Sequence, residues 1–308
     1  MIEKKKLTFR VLVKIIKDTI QGIADHKVVR LSAALAYATI FSLIPLFSII
    51  TIIGTIFQAD LNSNIFIHLQ NILGAETVSQ LQPILQDAYT TDFTNIAAIV
   101  SLGVTLFGAT TIFAQMQGSL NFIWGIKPVP KKGWLKLIKN RLLSFSVILI
   151  LAFLLLVTFA ITNFITNLSE RILSNYPDIT STLVNVIGTI INFGVTALIF
   201  VLLFKMLPDA KIKYRDVIIG AIVTTILFLV GQWGISVYFG LANVGSVYGV
   251  AAFMVLLLTW VYYSAIIIYI GAEFTRAWAN EMGGKIFPDE YAVATKVVQI
   301  EEEGTPVN

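Results

Sequence analysis

The chain has 308 residues, 56% of them hydrophobic and only 13% charged, with a formal net charge of +4. Soluble domains carry about 25% charged residues, and a chain this long with half that share cannot clothe a soluble surface. Together with a mean hydropathy of +0.82 and long unbroken apolar blocks, this excludes a soluble globular protein and marks an integral membrane protein.

In chain order, residues 1–27 form a basic cytoplasmic segment with an amphipathic helix. Phe9, Leu12, Val13, Ile16, Ile20 and Ile23 share one helical face, with Arg10, Lys14, Lys17 and Gln21 opposite. Such a helix lies in the membrane interface, held by apolar contact and anionic lipid headgroups, or packs beneath a bundle. The basic N-terminus leads into this charged helix and not into a short apolar core, so no cleavable signal peptide is expected.

Six apolar blocks follow within residues 28–278, at about Val28–Phe57, Asn95–Trp124, Leu142–Leu168, Thr182–Leu207, Val217–Leu241 and Val247–Trp278. Each is near or above the roughly 20 residues that a bilayer core requires. Runs such as VILILAFLLLV are too continuous for the alternating strands of an outer-membrane barrel. Between the first two blocks, a loop from Gln58 to Thr94 carries Val78, Leu81, Ile84 and Leu85 at helical spacing. Residues 279–308 are a cytoplasmic tail whose acidic end, QIEEEGTPVN, is expected to be disordered.

Charge placement orients the blocks. Lys and Arg crowd the N-terminal segment, the 127–141 connection, the 205–215 connection and the stretch after the last span, whereas only Arg171 falls on the opposite side. The positive-inside rule then places both termini in the cytoplasm. The expected fold is therefore all-α: a polytopic six-transmembrane-helix bundle of the cytoplasmic membrane. The basic pI of about 9.1 follows from this topology and is not a sign of nucleic-acid binding.

The first span is unusual. LSAALAYATIFSLIPLF carries Ser32, Tyr37, Thr39 and Ser42, then breaks its hydrogen-bond ladder at Pro45. Ser32, Thr39 and Ser42 share one stripe, and Ala33, Ala34 and Ala38 suit close helix approach. Pro45 frees the carbonyl of Phe41, which then needs protein or water as a partner. A kink beside a hydrated path and a sealed kink with Ser and Thr bonded to their own backbone both satisfy this pattern.

Further neutral polar residues recur in the spans: Gln115, Gln117 and Asn121 in the second, Asn163 and Asn167 in the third, and Asn185 and Asn192 in the fourth. Gln232 lies in the fifth, and Tyr248, Tyr262, Tyr263 and Ser264 in the sixth. Each is interhelical glue or part of a path lining. Gly231 and Gly234 in the fifth span, and Gly245 and Gly249 at the start of the sixth, add sites of close packing.

Ionisable groups are confined to the span ends. Arg30 and Glu273 both fall at the cytoplasmic edge, where a snorkelling Arg can reach a Glu that needs a partner. The expectation is a cross-helix pair, with Glu273–Arg276 at i,i+3 as the local competitor. Neutral span centres argue against a carboxylate-relay pump, and no Walker motif is present to power an ATPase.

The segments LSAALAYATIFSLIPL, GATTIFAQMQGSLNFIWGI, LPDAKIKYRDVIIGAIV and SVYGVAAFMVLLLTWVYYSAIIIYIGAEFTRAWA resemble the successive motifs of the YihY/BrkB family of bacterial inner-membrane proteins. The resemblance covers nearly the whole chain in order, and its motif positions include Ala36, Tyr37, Ser42, Pro45, Asn121, Trp124, Tyr248, Gly249, Tyr262, Gly271 and Glu273. It implies a six-helix bundle and roles linked to virulence, serum resistance or envelope-lipid transport. The family has also carried a ribonuclease label. A metal-dependent nuclease needs clustered His, Asp or Glu ligands, whereas His26 and His68 are the only histidines and fall on opposite sides of the expected membrane. No catalytic residue, metal or cofactor is expected. A transporter or flippase-like protein and a non-transporting envelope scaffold remain as the two readings, with membrane lipids as partner.

Overall fold

The computed structural model describes residues 8–39, 111–129, 177–242, 252–282 and 284–295. Among them are six helices and four short strands. Helix α1 is Phe9–Asp25, α2 is Val28–Thr39 and α3 is 111–123, followed by β1, Ile126–Pro128. Helix α4, Pro177–Met206, leads to β2, Ala210–Lys211, and α5, Tyr214–Ala242. Helix α6, Ala252–Glu281, precedes β3, Phe287–Pro288, and β4, Ala292–Ala294.

Three of the helices contain stretches long and apolar enough to cross a membrane: Val186–Met206, Tyr214–Ile235 and Leu257–Glu281. The helices that carry them, α4 to α6, start and end within five residues of the fourth, fifth and sixth expected blocks, while α2 and α3 are the start of the first block and the end of the second. Being apolar on all sides, α4 to α6 also expose large hydrophobic side chains, among them Ile190, Val230 and Trp233. Such surfaces suit a lipid solvent.

Helix α6 packs between α1 and α5, and α5 packs on α4. The α5–α6 contact is reciprocal. Thr275 of α6 sits against Gly220 of α5, and Thr224 of α5 sits against Gly271 of α6. Each threonine hydroxyl donates back to its own helix, Thr224 to the Gly220 carbonyl and Thr275 to the Gly271 carbonyl, both at 2.7 Å. The hydroxyls are thus satisfied without a partner across the interface, and small residues let the two backbones approach. Further along, Phe228 of α5 makes edge contacts with Phe200 of α4 and Trp260 of α6 and stacks on Tyr263.

The strands gather at the end of the bundle where α3, α4 and α6 finish. Strand β1 pairs antiparallel with β4, with Lys127 opposite Val293, and β2 pairs with β3, with Lys211 opposite Phe287. Residues 284–295, which the sequence assigns to a terminal tail, therefore close on the bundle. Gly125 takes φ of +66° in the turn into β1, with the Thr295 carbonyl close against it, and a side chain there would be strained. Beneath the strands lies the core around Leu120, Trp124, Phe204, Val217 and Tyr269, and the Trp124 indole donates to the Ala272 carbonyl at 3.1 Å.

Helix α1 departs from the simple two-face expectation. Ile15, Thr19 and Gly22 are its buried residues, and Ile15 packs with Phe274 and Trp278 of α6. The stripe of Phe9, Leu12, Val13, Ile16 and Ile20 is exposed, Phe9 at 77%. Thr19 and Gly22 let the two helices approach around Ile15, and the apolar stripe is left outward.

Candidate functional site

Helix α1 stops before Lys27, which adopts a left-handed φ of +52°, and α2 starts at the next residue. This turn presents His26 to α6. Its Nδ1 lies 2.5 Å from Glu273 Oε1, and Arg276 approaches Glu273 Oε2 at 3.7 Å. Arg276 Nη1 also lies 3.3 Å from His26 Nε2. The same nitrogen lies 3.4 Å from Nδ1, so the guanidinium faces the ring as a whole and not one lone pair, while a proton on Nδ1 is donated to Glu273. Phe122 of α3 covers the imidazole in an edge contact at 5.5 Å.

The Glu273 side chain is 1% exposed, so its charge needs these partners. It reaches them through Gly22, against which its carboxylate is packed. Outside the pair lies a cavity of about 230 Å³, lined by Asp18, Gln21, Gly22 and Asp25 of α1 and by Glu273, Arg276, Ala277 and Asn280 of α6. A second bridge, Lys14 to Glu281, joins the same two helices. The Lys14 ammonium is pushed above its ordinary range by its hydrogen bond to Glu281 and by that carboxylate's charge.

Arg30 does not take part in this cluster. It is exposed on α2, and the expected Arg30–Glu273 pair is replaced by His26 and Arg276. The α1–α2 turn places the histidine over the carboxylate and carries Arg30 a further turn away. His26 was weighed in the sequence only as a metal ligand, and its separation of 247 residues from Glu273 hides the contact from any local pattern. The one available signal was a lone carboxylate at the end of an otherwise neutral span.

The other candidate residues fall into separate places. Ser32 is buried and donates to the Val28 carbonyl at 2.9 Å, and Thr39 donates to the Leu35 carbonyl at 2.8 Å. Tyr37 is exposed on α2 and Gln232 on α5, whereas Gln115, Tyr262 and Ser264 are half-buried. Tyr263 donates to the Phe228 carbonyl of α5 at 2.8 Å. Ser42, Pro45 and Tyr248 lie outside the described residues, as do Asn163, Asn167, Gly245 and Gly249.

Asn121 is the most fully engaged of them. Its amide nitrogen donates to Asp209 Oδ2 at 2.8 Å, and its oxygen accepts from the Asp209 backbone N–H at 2.8 Å. Gln117 adds a contact to the same carboxylate at 3.2 Å. These amides thus anchor the loop between α4 and β2 to α3. Among the described residues, no group of three His, Cys, Asp or Glu side chains is disposed to hold a metal ion.

Comparison with known proteins agrees with this picture of a helical membrane protein. The chain is 28% identical over 256 residues to a UPF0761 membrane protein of Chromobacterium violaceum, covering 82% of this chain and 58% of that one. It is 26% identical over 261 residues to a UPF0761 membrane protein of Cronobacter sakazakii, covering 82% and 83%. A third, from Saccharophagus degradans, is 27% identical over 275 residues, covering 87% and 60%. The aligned region thus spans less than two thirds of the first and third relatives. No solved structure matches the chain. Residues 19–292 match the family model for Virulence factor BrkB, and the chain belongs to that family, as the resemblance to YihY/BrkB proteins implied.

Proposed function

We propose that the protein is a six-span carrier of the bacterial cytoplasmic membrane that moves a solute or an envelope lipid, and that it is not an enzyme. In this reading both termini are cytoplasmic, and the His26–Glu273–Arg276 cluster closes the inner end of the path. The observation that supports it is the buried Glu273 carboxylate beside a polar cavity. Ionisable groups at membrane depth are expensive and tend to serve transport. The exposed apolar stripe of α1 rests on the inner leaflet, with Arg10 and Lys17 toward anionic headgroups.

The test is translocation by purified protein in liposomes, scored with entrapped solutes and with labelled lipids. Rates above those of protein-free vesicles, altered by Glu273→Ala, are expected. Rates equal to the protein-free leak for every class of cargo would refute transport.

The second reading, a membrane scaffold, is favoured by the bonding of Ser32, Thr39, Tyr263 and Asn121, which all engage backbone or loop groups. It predicts no flux and retention of envelope partners by the Glu273→Ala variant.

A further inference from the structure

We propose that His26 is the sensor of a proton-driven switch that moves the Arg276 guanidinium between two sets of carboxylates and so changes how α1 is tied to α6. This concerns the cluster itself and holds whether or not anything crosses the membrane.

In the resting state the ring is neutral, with Nδ1–H donated to Glu273 Oε1 at 2.5 Å and Arg276 Nη1 against the ring, 3.3 Å from Nε2 and 3.4 Å from Nδ1. Glu273 and Arg276 then cancel in charge around a neutral ring. Histidine is the side chain whose ordinary titration falls between about pH 5 and 8. A proton taken from water onto Nε2 sets imidazolium against guanidinium at this close distance. One of the two cations must then leave. His26 is held by the buried Glu273, whereas the Arg276 side chain is 35% exposed and lines a cavity of about 230 Å³ whose opposite wall carries Asp18 and Asp25. The cavity gives the guanidinium room, and those carboxylates give it new partners.

The surrounding charges agree with this direction. On the chain carrying His26, Asp25 precedes it and Lys27 follows it, with Arg30 a turn further on. From α6 come Glu273 and Arg276. From α3 comes the Phe122 ring, and 111–123 contains no titratable residue. In the protonated state two charge bridges join α1 to α6 at this point, His26–Glu273 and Arg276 with Asp18 or Asp25. In the neutral state His26 carries no charge, and the cluster's pair of opposite charges, Arg276 and Glu273, lies within α6.

His68→Gln leaves a single histidine in the full-length chain, which contains two. Nitrogen-15 NMR of that imidazole in lipid nanodiscs should show the Nδ1–H neutral form at alkaline pH, converting to imidazolium on acidification. Arg276→Gln should move the midpoint to higher pH, and Asp18→Asn with Asp25→Asn should move it lower. Hydrogen exchange of α1 amides, corrected for the intrinsic pH dependence, should be slower at about pH 5.5 than at about pH 8. The double Asp variant should erase that difference. A histidine with a merely structural role would leave α1 exchange independent of pH. An Nε2–H neutral form, a midpoint indifferent to Arg276→Gln, or faster α1 exchange in acid would each overturn the switch.

Discussion

Gly271 of α6 lies directly against the side chain of Thr224 on α5, and the same contact recurs in mirror order between Gly220 and Thr275. Each glycine stands four residues before a threonine of its own helix, so one short pattern, repeated on antiparallel partners, sets the separation of two membrane helices. A methyl built on Gly271 would overlap both the Thr224 hydroxyl and its Cβ. Threonine is β-branched and stiff, so it has little freedom to yield. Gly271→Ala should therefore destabilise by about 1–3 kcal/mol through overpacking. Gly188 and Gly234 have nothing within 4 Å of such a methyl, and Ala there should cost nothing, since Ala is the better helix former. Thermal unfolding in detergent compares the three, and equal midpoints would remove the interlock as a determinant of stability.

The Asn121–Asp209 contact makes a separate prediction. Asn121 is 3% exposed and exchanges two hydrogen bonds with Asp209, one of them to a charged oxygen. Truncation to Ala leaves a carboxylate oxygen and a backbone N–H short of partners, a loss of about 1.5–3 kcal/mol. Gln117→Ala, which removes one longer contact to the same carboxylate, should cost less. The order of the two unfolding midpoints is the measurement, and its reversal would contradict the geometry.

The Lys14–Glu281 bridge carries a pH signature. The Lys14 ammonium sits above the ordinary lysine value of 10.5, first through its hydrogen bond to Glu281 and then through that group's charge. A group raised in the folded state contributes stability below its unfolded value, and the contribution is lost as pH rises through the folded value. Lys14→Met should thus lower the unfolding temperature slightly near neutral pH, and the two proteins should converge as pH rises through the raised lysine value. The effect is small because the lysine is exposed. A gap that persists unchanged into strong alkali would assign the loss to packing of the stem.

Topology is tested on the sequence alone. The chain contains no Cys, so single cysteines at Thr91 and at Lys132 report without background. The positive-inside assignment requires them to react from opposite sides of the membrane with an impermeant thiol reagent. Reaction of both in intact cells would sink the six-span arrangement.

Elements and faces differed in how far they could be read in advance. Helices α4, α5 and α6 fall where the apolar blocks do because a bilayer-length helix advertises itself by composition, whatever its neighbours. The exposed stripe of α1 was also visible as a stripe, but periodicity cannot say whether apolar residues meet protein or lipid. The contact stripe, Ile15, Thr19 and Gly22, carries too little apolar mass to stand out. In the cluster, Glu273 was legible as a charge in need of a partner, and the choice of Arg30 failed because the α1–α2 turn decides which side chain faces α6. That turn depends on a left-handed Lys27, a conformation no residue type there announces. For Asn121, glue and path lining were both open. Its partner Asp209 lies 88 residues away, in a loop whose return to α3 is a property of the fold.

Gly22 offers the sharpest test of the α1–α6 junction. Its lack of a side chain lets the Glu273 carboxylate lie against the helix backbone, and a methyl there would overlap Oε2 and the carboxyl carbon. The carboxylate cannot retreat without giving up His26, because Oε1 is already committed to that ring. Gly22→Ala should therefore destabilise the protein, by about 1–3 kcal/mol, although Ala is intrinsically the better helix residue. If the cause is this one collision, the cost should largely vanish when the carboxylate is absent. In a Glu273→Ala background, Gly22→Ala should be neutral or slightly stabilising, giving a coupling of about 1–3 kcal/mol between the two sites in a double-mutant cycle. Additive effects would mean that α1 and Glu273 do not meet as described, and the clamp between them would have to be abandoned.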